Sequence, residues 1–484
     1  MNDTKPNIIA IMADDLGYGD IGVYGNPIVD TPHIDALARS GVRLDQHYSA
    51  SPICAPARAA FLTGRYNHRV GAVDVSSNRG VDRIALCERT LGDVFSHAGY
   101  VTGMIGKWHN GLFDMRHHPN ARGFREFLGF LNGGMGYYDW ILDRNGSSIR
   151  SDGRYLTDVF SDEAVSFIHR HAAENFFLTV TYNAPHSPLE APEMDAAVFE
   201  GTCAPAVAAL YGMIRVMDRG IGRILSALDA CGLSENTIVL FTSDNGPFMG
   251  NESYRGAPQS MLRYNGPFSG MKYDVLEGGI RVPAVLRWPG GGLSGGTVRN
   301  DMIHFCDWIP TLAACAGIRT DICRPLDGMD MLPYLQSGAY APVKRFWQYN
   351  RYEPALNCNA AMRDGDWKLY WPRVSASDKK LEGDNHWYRR LFHEPHFLTD
   401  IDRAPIVREI PTPGTPKLFN IADDPAEAYD RAGAETERAG RMRRELENWF
   451  ESVNRERRND PDNWRGENTM APMKTDVRFF SPLS

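Results

Sequence analysis

The stretch Asn7–Asp15, NIIAIMADD, decides how this chain is built. A run that reads as a buried strand stops abruptly at two carboxylates, and the pattern returns three times. Tyr100–Ile105 (YVTGMI) leads into Gly106-Lys107-Trp108-His109, Phe176–Tyr182 (FFLTVTY) into Asn183-Ala184-Pro185-His186, and Thr237–Thr242 (TIVLFT) into Ser243-Asp244-Asn245-Gly246. Short apolar, partly β-branched runs separated by longer helix-like segments predict an α/β fold with a large, mainly parallel or mixed sheet flanked by helices. Open sheets of this kind bind ligands at the carboxyl ends of their strands. One Asp-Asp or Asn-Gly after a strand is ordinarily a turn or helix cap. Four runs that deliver carboxylates, a lysine and two histidines to one edge mark a candidate site.

A chain of 484 residues exceeds one small core. The expected division is a catalytic α/β domain over 1–340 and a smaller C-terminal subdomain and tail over 341–484, where strand–helix alternation fades. That subdomain is expected to hold a short antiparallel sheet and a helix from about Pro425 to Val453. An irregular tail follows, with Asp460-Pro461-Asp462 near its start and Trp464 and Phe479-Phe480 as apolar groups for docking on a second copy in a homo-oligomer.

Net charge is −8, with 43% apolar and 23% charged residues, an ordinary globular balance. It offers no basic field for nucleic acid, and no lysine run suggests a membrane surface. The longest early apolar run, Ile8–Ala13, is too short for a spanning helix or a secretory h-region. The expected location is therefore cytoplasmic, or periplasmic if a leader has been removed. Eight cysteines (Cys54, Cys87, Cys203, Cys231, Cys306, Cys315, Cys323 and Cys358) form no CxxC pair and no zinc-ribbon spacing. Seven read as small buried apolar side chains.

Cys54 stands apart, within SPICAPARAAFLTGR, Ser51–Arg65. Pro56 suits a first helical turn and Ala57–Leu62 is strongly helix-forming, so the thiol sits at a helix N-terminus. That position lowers a thiol pKa and offers backbone N–H groups to an anion. A thiolate nucleophile, a redox-sensitive thiol and an inert buried cysteine all remain open on these grounds.

CAPARAAFLTGR, Cys54–Arg65, resembles the sulfatase signature, C-x-P-x-R followed by three residues, an apolar residue and T-G-R. ADDLGYGD (Ala13–Asp20), GKWH (Gly106–His109), APHSP (Ala184–Pro188), TSDNG (Thr242–Gly246), GMKYDVLEGGIRVP (Gly270–Pro283) and LFNIADDPAE (Leu418–Glu427) resemble further blocks of that family, in family order. The resemblance runs from residue 7 to about 430 and implies an alkaline phosphatase-like fold. It also implies that Cys54 is oxidised to formylglycine by a formylglycine-generating enzyme. A sulfated serine would be a trapped ester, whereas a geminal diol attacks sulfur with one hydroxyl and expels sulfate through the other.

The resemblance further implies a divalent metal held by Asp14, Asp15, Asp244, Asn245 and the oxygen derived from Cys54. Such hard oxygen donors suit calcium first and magnesium second, not zinc. By the same match, Arg58 would hold the diol and the metal-site carboxylates, and Lys107 and Lys272 would grip sulfate. His109 would serve as base for sulfate elimination, and His186 would assist departure of the alcohol with Lys272 beside it.

The implied reaction is hydrolysis of a sulfate ester, with a sulfated carbohydrate or other small sulfate ester as substrate and aryl sulfates as further ones. A phosphonate monoester or phosphodiester hydrolase using the same aldehyde hydrate is the enzymatic alternative, and an unconverted, catalytically silent anion-binding homologue is the non-enzymatic one. Glu277 and Arg281 read as a structural pair, Gly278-Gly279 as a tight turn, and His169 and His171 as surface groups. Arg116-His117-His118, Tyr137-Tyr138-Asp139-Trp140, Arg351-Tyr352 and His393-Glu394-Pro395-His396 read as ordinary loop or interface composition, although such groups would also suit the wall of a sulfated-sugar pocket.

Overall fold

Asn7–Ala13 is a fully buried strand whose side chains alternate between two cores. Ile8, Ala10 and Met12 pack on one side, and Ile9, Ile11 and Ala13 on the other. Period-two alternation with both faces apolar is what a central strand between two helix layers requires. The computed structural model describes residues 5–381, 383–394, 400–402, 404, 406 and 414–459.

The main sheet has ten strands. Across it lie Thr297–Arg299, Val42–Leu44, Ala284–Arg287, Thr237–Ser243, Asn7–Ala13, Phe176–Thr181, Val101–Lys107, Glu126–Phe130, Ile141–Arg144 and Ser147–Arg150. The five strands from Thr237–Ser243 to Glu126–Phe130 run parallel. Their register brings Met12 level with both Thr181 and Thr242, and Gly106 level with Thr181, so their carboxyl ends open on one edge. Helices Pro32–Ser40, Leu156–Arg170 and Pro205–Ala230 cover one face. Cys54–Thr63, Leu91–His97 and Trp308–Cys315 cover the other.

A second, antiparallel sheet orders Lys344–Gln348, Ala360–Asp364, Trp367–Trp371 and Lys417–Asn420. Helix Thr436–Asn459 packs on it through Met442, Leu446 and Val453, which join the same core as Cys54–Thr63. Glu277 ties this sheet to the main body. It accepts from Tyr48 Oη at 2.6 Å, pairs with Lys368 Nζ at 3.0 Å and lies 3.4 Å from Arg281. Glu277 is thus a buried hub of which the Arg281 pair is one spoke.

Several expectations need correction. The C-terminal helix begins at Thr436, not near Pro425, because residues 421–430 after the Lys417–Asn420 strand are held in turns, with Asp424 accepting from Ala428 and Tyr429 N–H. Lys107 is the last residue of its strand rather than the start of the loop. Gly278-Gly279 lie in a single helical turn, Glu277–Ile280, and serve close backbone approach: a Cβ on Gly279 would stand 1.9 Å from the Asp274 carbonyl. Of the seven other cysteines only Cys306, Cys315 and Cys358 are buried, while Cys87 is exposed and Cys203, Cys231 and Cys323 are half-buried. His171 is buried between Glu126 and Glu174 rather than on the surface, whereas His169 is exposed. Pro395, His396, the His393 side chain, Asp460-Pro461-Asp462, Trp464 and Phe479-Phe480 lie outside the described residues. No described helix is long and apolar enough to cross a membrane.

Candidate active site

Cys54 is the first residue of the Cys54–Thr63 helix, with Ile53 as its extended N-cap. The first intrahelical bond runs from Ala57 N–H to Ile53 C=O at 3.1 Å, so Pro56 falls where a helix leaves N–H groups unpaired anyway. Arg58 follows one turn later on the same face. Its Nε donates to Asp244 Oδ2 at 2.9 Å, its Nη1 to the Lys107 carbonyl at 3.2 Å, and its Nη2 lies 3.7 Å from Asp14 Oδ2.

The carboxylates converge from two adjacent strand ends. Asp244 N–H donates to the Ala13 carbonyl and Asp15 N–H to Asp244 Oδ1, both at 3.1 Å, which locks the two loops together. Lys107 Nζ donates to Asp14 Oδ2 at 2.6 Å and Lys272 Nζ to Asp15 Oδ2 at 2.7 Å. Asn245 Nδ2 donates to Asp15 Oδ1 at 2.8 Å. Gly246 permits this junction, since a Cβ there would stand 2.0 Å from the Gly278 carbonyl.

Two oxygens at the centre are buried and accept no hydrogen bond among the described residues: Asp14 Oδ1 and Asn245 Oδ1. Ligand atoms of Asp14, Cys54 and Asp244 lie within 4.8 Å of one another, as do those of Asp14, Asp15 and His186. An orphaned, buried, oxygen-rich cluster is costly unless a cation completes it. Its donor chemistry fits a hard divalent ion.

Lysines and burial compete over the titrations. Asp15 is held below the usual carboxylate range because Lys272 and His186 outweigh its burial, whereas burial and Asp14 push Asp244 up to about 6. Burial also raises the Cys54 thiol despite Lys107 and Lys272, which overturns the lowered pKa expected from its helix position. The side chain is a protonated thiol at neutral pH and a poor nucleophile as it stands.

The two histidines are both neutral. His109, with φ 57°, is pushed well below its ordinary pKa by burial and Lys107. Its Nε2 faces the Val75 carbonyl at 3.2 Å, which places the proton there and leaves the lone pair on Nδ1. His186 is lowered to about 3 by burial and Lys272. Its Nδ1 donates to the Ser187 carbonyl at 2.6 Å, and Nε2 lies 3.7 Å from Asp15. Tyr137 Oη, between the carbonyls of Asn183 and His186 at 2.8 and 2.9 Å, fixes that loop.

A cavity of about 300 Å³ opens over this cluster, lined by Asp15, Cys54, His109, His186 and Lys272. Asp14, Arg58, Lys107, Asp244 and Asn245 stand behind its wall. The structure therefore gathers all ten sequence-derived candidates, five facing the cavity and five supporting it. Arg351 also lines it. His117 and His118 are buried elsewhere, His118 beside Asp143, and do not line it. Sequence reasoning missed Tyr273 and Lys380 on the cavity wall and Asp74 behind Arg351. Only Tyr273, adjacent to Lys272 within a quoted block, carried a signal that pointed to it.

A family model described as Sulfatase matches residues 6–318. N-acetylgalactosamine-6-sulfatase of Rattus norvegicus is 34% identical over 361 residues, covering 69% of this chain and 66% of that protein's length. Steryl-sulfatase of Mus musculus is 30% identical over 523 residues, covering 88% of this chain and 82% of the relative. Among solved structures, Ps i-CgsB in complex with k-i-k-neocarrahexaose superposes with a TM-score of 0.74 at 31% identity, covering 92% of this chain and 93% of that one.

Proposed function

This chain belongs to the sulfatase family, and from that premise we propose that it hydrolyses sulfate esters, with Cys54 matured to formylglycine and a divalent cation held by Asp14, Asp15, Asp244 and Asn245. One observation carries the reading: Cys54 opens a helix in the wall of a cavity shared with Asp15, His109, His186 and Lys272, with Asp14 and Asp244 oxygens within 4.8 Å of its sulfur. The names of the galactosamine-sulfate relative and of the carrahexaose-bound structure support a sulfated carbohydrate as substrate.

The cation, calcium first and magnesium second, would polarise a sulfate oxygen and offset charge in the transition state. The matured Cys54 side chain would supply the diol nucleophile that a protonated thiol cannot replace. The chain's own residues divide the remaining work. Arg58 holds Asp244 and Asp14 in the ligand geometry, and Lys107 offsets the charge on Asp14. His109 keeps an unprotonated nitrogen available as a base. At the other side of the cavity Lys272 carries a proton, its pKa raised by Asp15 against its burial, while neutral His186 presents Nε2 as an acceptor. Lys272 is thus the group equipped to stabilise a departing alkoxide, with His186 beside it on the cavity wall.

The test is mass spectrometry of the Cys54 peptide from protein produced with a formylglycine-generating enzyme, together with turnover of 4-nitrophenyl sulfate. Thiol-to-aldehyde conversion and turnover that disappears in Cys54→Ala are expected. An unconverted thiol, or equal turnover by wild type and Cys54→Ala, would overturn the reading in favour of a silent anion binder.

A further inference from the structure

Away from the nucleophile, the cavity has a mainly apolar wall. Leu189, Leu210 and Met261 belong to the core that includes helix Pro205–Ala230, and Phe248 packs against it. Leu189 follows His186 and Ser187 on one segment, so this wall adjoins the side from which the alcohol would depart. Besides Asp15, the one carboxylate among the described residues that line the cavity is Glu252.

Glu252 arrives on a hairpin of strands Asn251–Tyr254 and Ala257–Ser260. Its turn is Arg255-Gly256, with φ 50° and 80°, the doubly left-handed pair that matches the twist of a two-residue hairpin. Asn251 and Ser253 are exposed whereas Glu252 and Tyr254 are half-buried, so period-two alternation turns the carboxylate inward. The base of the hairpin is pinned. Met261 N–H donates to the Gly250 carbonyl at 2.9 Å, and Arg263 Nη1 donates to the carbonyls of Phe248 and Met261 at 2.7 and 3.3 Å. Arg263 is itself fixed by Asp20 at 2.7 and 2.8 Å. Glu252, two residues beyond Gly250, is therefore presented from a held frame.

Each cation on the cavity wall faces a different acid. Arg263 grips Asp20, Lys272 donates to Asp15 at 2.7 Å, Arg351 lies 3.5 Å from Asp74, and Asp74 and Asp384 are the acids that act on Lys380. Glu252 pairs with none of them: among the described residues its carboxylate accepts only from the adjacent Ser253 N–H, at 3.1 Å. Gln259, directly opposite across the hairpin, adds no charge. A half-buried carboxylate with spare lone pairs is a strong acceptor for a hydroxyl or amine and a hostile neighbour for an anion. Apolar side chains with one polar group among them hold a ligand's carbon skeleton and set its orientation.

Resting on the sulfatase reading, we propose that Glu252 is a specificity-determining residue. It accepts a hydrogen bond from a free hydroxyl or amine of the sulfated sugar and excludes a second anionic group from this wall. Selection thus comes from attraction to one substituent and repulsion of its sulfated counterpart.

The test compares kcat/KM on 4-nitrophenyl sulfate with kcat/KM on galactose 6-sulfate, N-acetylgalactosamine 6-sulfate, glucosamine 6-sulfate and galactose 2,6-disulfate. Matured wild type, Glu252→Gln and Glu252→Ala are measured in parallel, and glutamine, which keeps the side chain's shape, guards against a folding failure of the alanine variant. Wild type is expected to prefer at least one monosulfated sugar to the disulfate. In the variants the ratio of that sugar to 4-nitrophenyl sulfate should fall about tenfold or more, the worth of a charge-assisted hydrogen bond, and the ratio of disulfate to monosulfate should rise about tenfold. A fall confined to glucosamine 6-sulfate would identify the donor as its ammonium, and a fall shared by the other monosulfates would identify a hydroxyl. A merely structural role would lower all substrates together and preserve both ratios. Either ratio surviving both substitutions, a wild type that prefers the disulfate, or sugars left intact by protein that turns over 4-nitrophenyl sulfate would overturn the proposal and leave the sulfatase reading standing. No turnover of any substrate by aldehyde-bearing protein would sink the sulfatase reading and this proposal with it.

Discussion

Lys107 Nζ lies 2.6 Å from Asp14 Oδ2, and neither side chain has any exposure. Removing one member of a fully buried ion pair leaves its partner uncompensated at a cost of about 3–5 kcal/mol. Here the stranded partner would be one of three carboxylates crowded around Arg58 and Lys272. Lys107→Met is therefore expected to lower the urea midpoint sharply in chelator, and calcium should recover part of the loss. An unchanged midpoint in chelator would show that the pair does not support the site.

The orphaned oxygens of Asp14 and Asn245 carry the next expectation. A cation bound only by the folded chain adds about 2.7 kcal/mol of stability at a hundred times its dissociation constant. Chelation should lower the melting temperature and abolish sulfatase turnover, and calcium should restore both. Asn245→Ala should weaken the calcium-dependent rise in melting temperature. A melting temperature indifferent to calcium and magnesium would remove the proposed ion from this cluster.

Gly133 tests the histidine. A Cβ at this position would stand 2.8 Å from Cε1 and Nε2 of His109, so the ring must turn away from the Val75 carbonyl. Gly133→Ala is expected to lower kcat about 10- to 100-fold, the range of a general-base contribution. The melting temperature should move little, because the displaced atoms belong to one side chain. Unchanged kcat would argue that the orientation of His109 does not matter to the rate.

Asp82 gives a pH signature away from the metal ligands. Burial raises its carboxyl to about 6, with Ser77 Oγ at 2.6 Å only partly opposing the shift. A carboxyl whose pKa is higher folded than unfolded contributes stability at low pH and loses it as pH rises through the folded value. Between pH 5 and pH 7 the wild type should lose about 1 kcal/mol that Asp82→Asn does not lose. Parallel stability–pH curves for the two proteins would contradict this.

Much of this site was legible because its chemistry sits at the ends of strands whose apolar runs are unmistakable. Asn7–Ala13 was readable to the residue, since both faces are buried and the run ends at charge. Thr237–Ser243 and Phe176–Thr181 extend to within a residue of their expected ends. Lys107 was assigned to the loop because a charged residue rarely closes a buried strand, and here Asp14 makes that burial tolerable. Tyr273 and Lys380 escaped notice for another reason: they reach the cavity from irregular segments, where no periodicity predicts which side chain turns inward. The direction of the Cys54 shift was misjudged because helix position is local information, whereas depth of burial depends on Tyr349 and Tyr273, far along the chain. The C-terminal helix began late because turns around Asp424 compete with helix formation, which composition alone does not reveal.

Cys54 is only 4% exposed, packed among Ile53, Val75, Tyr273 and Tyr349 at the cavity wall. On the proposed reading, a catalyst that oxidises this thiol would reach it more readily before the Cys54–Thr63 helix has closed than after. If Cys54 is matured as proposed, burial of the thiol would set folding against maturation. The active fraction of a preparation would then record how many chains were converted before the helix closed over Cys54, a race rather than an equilibrium.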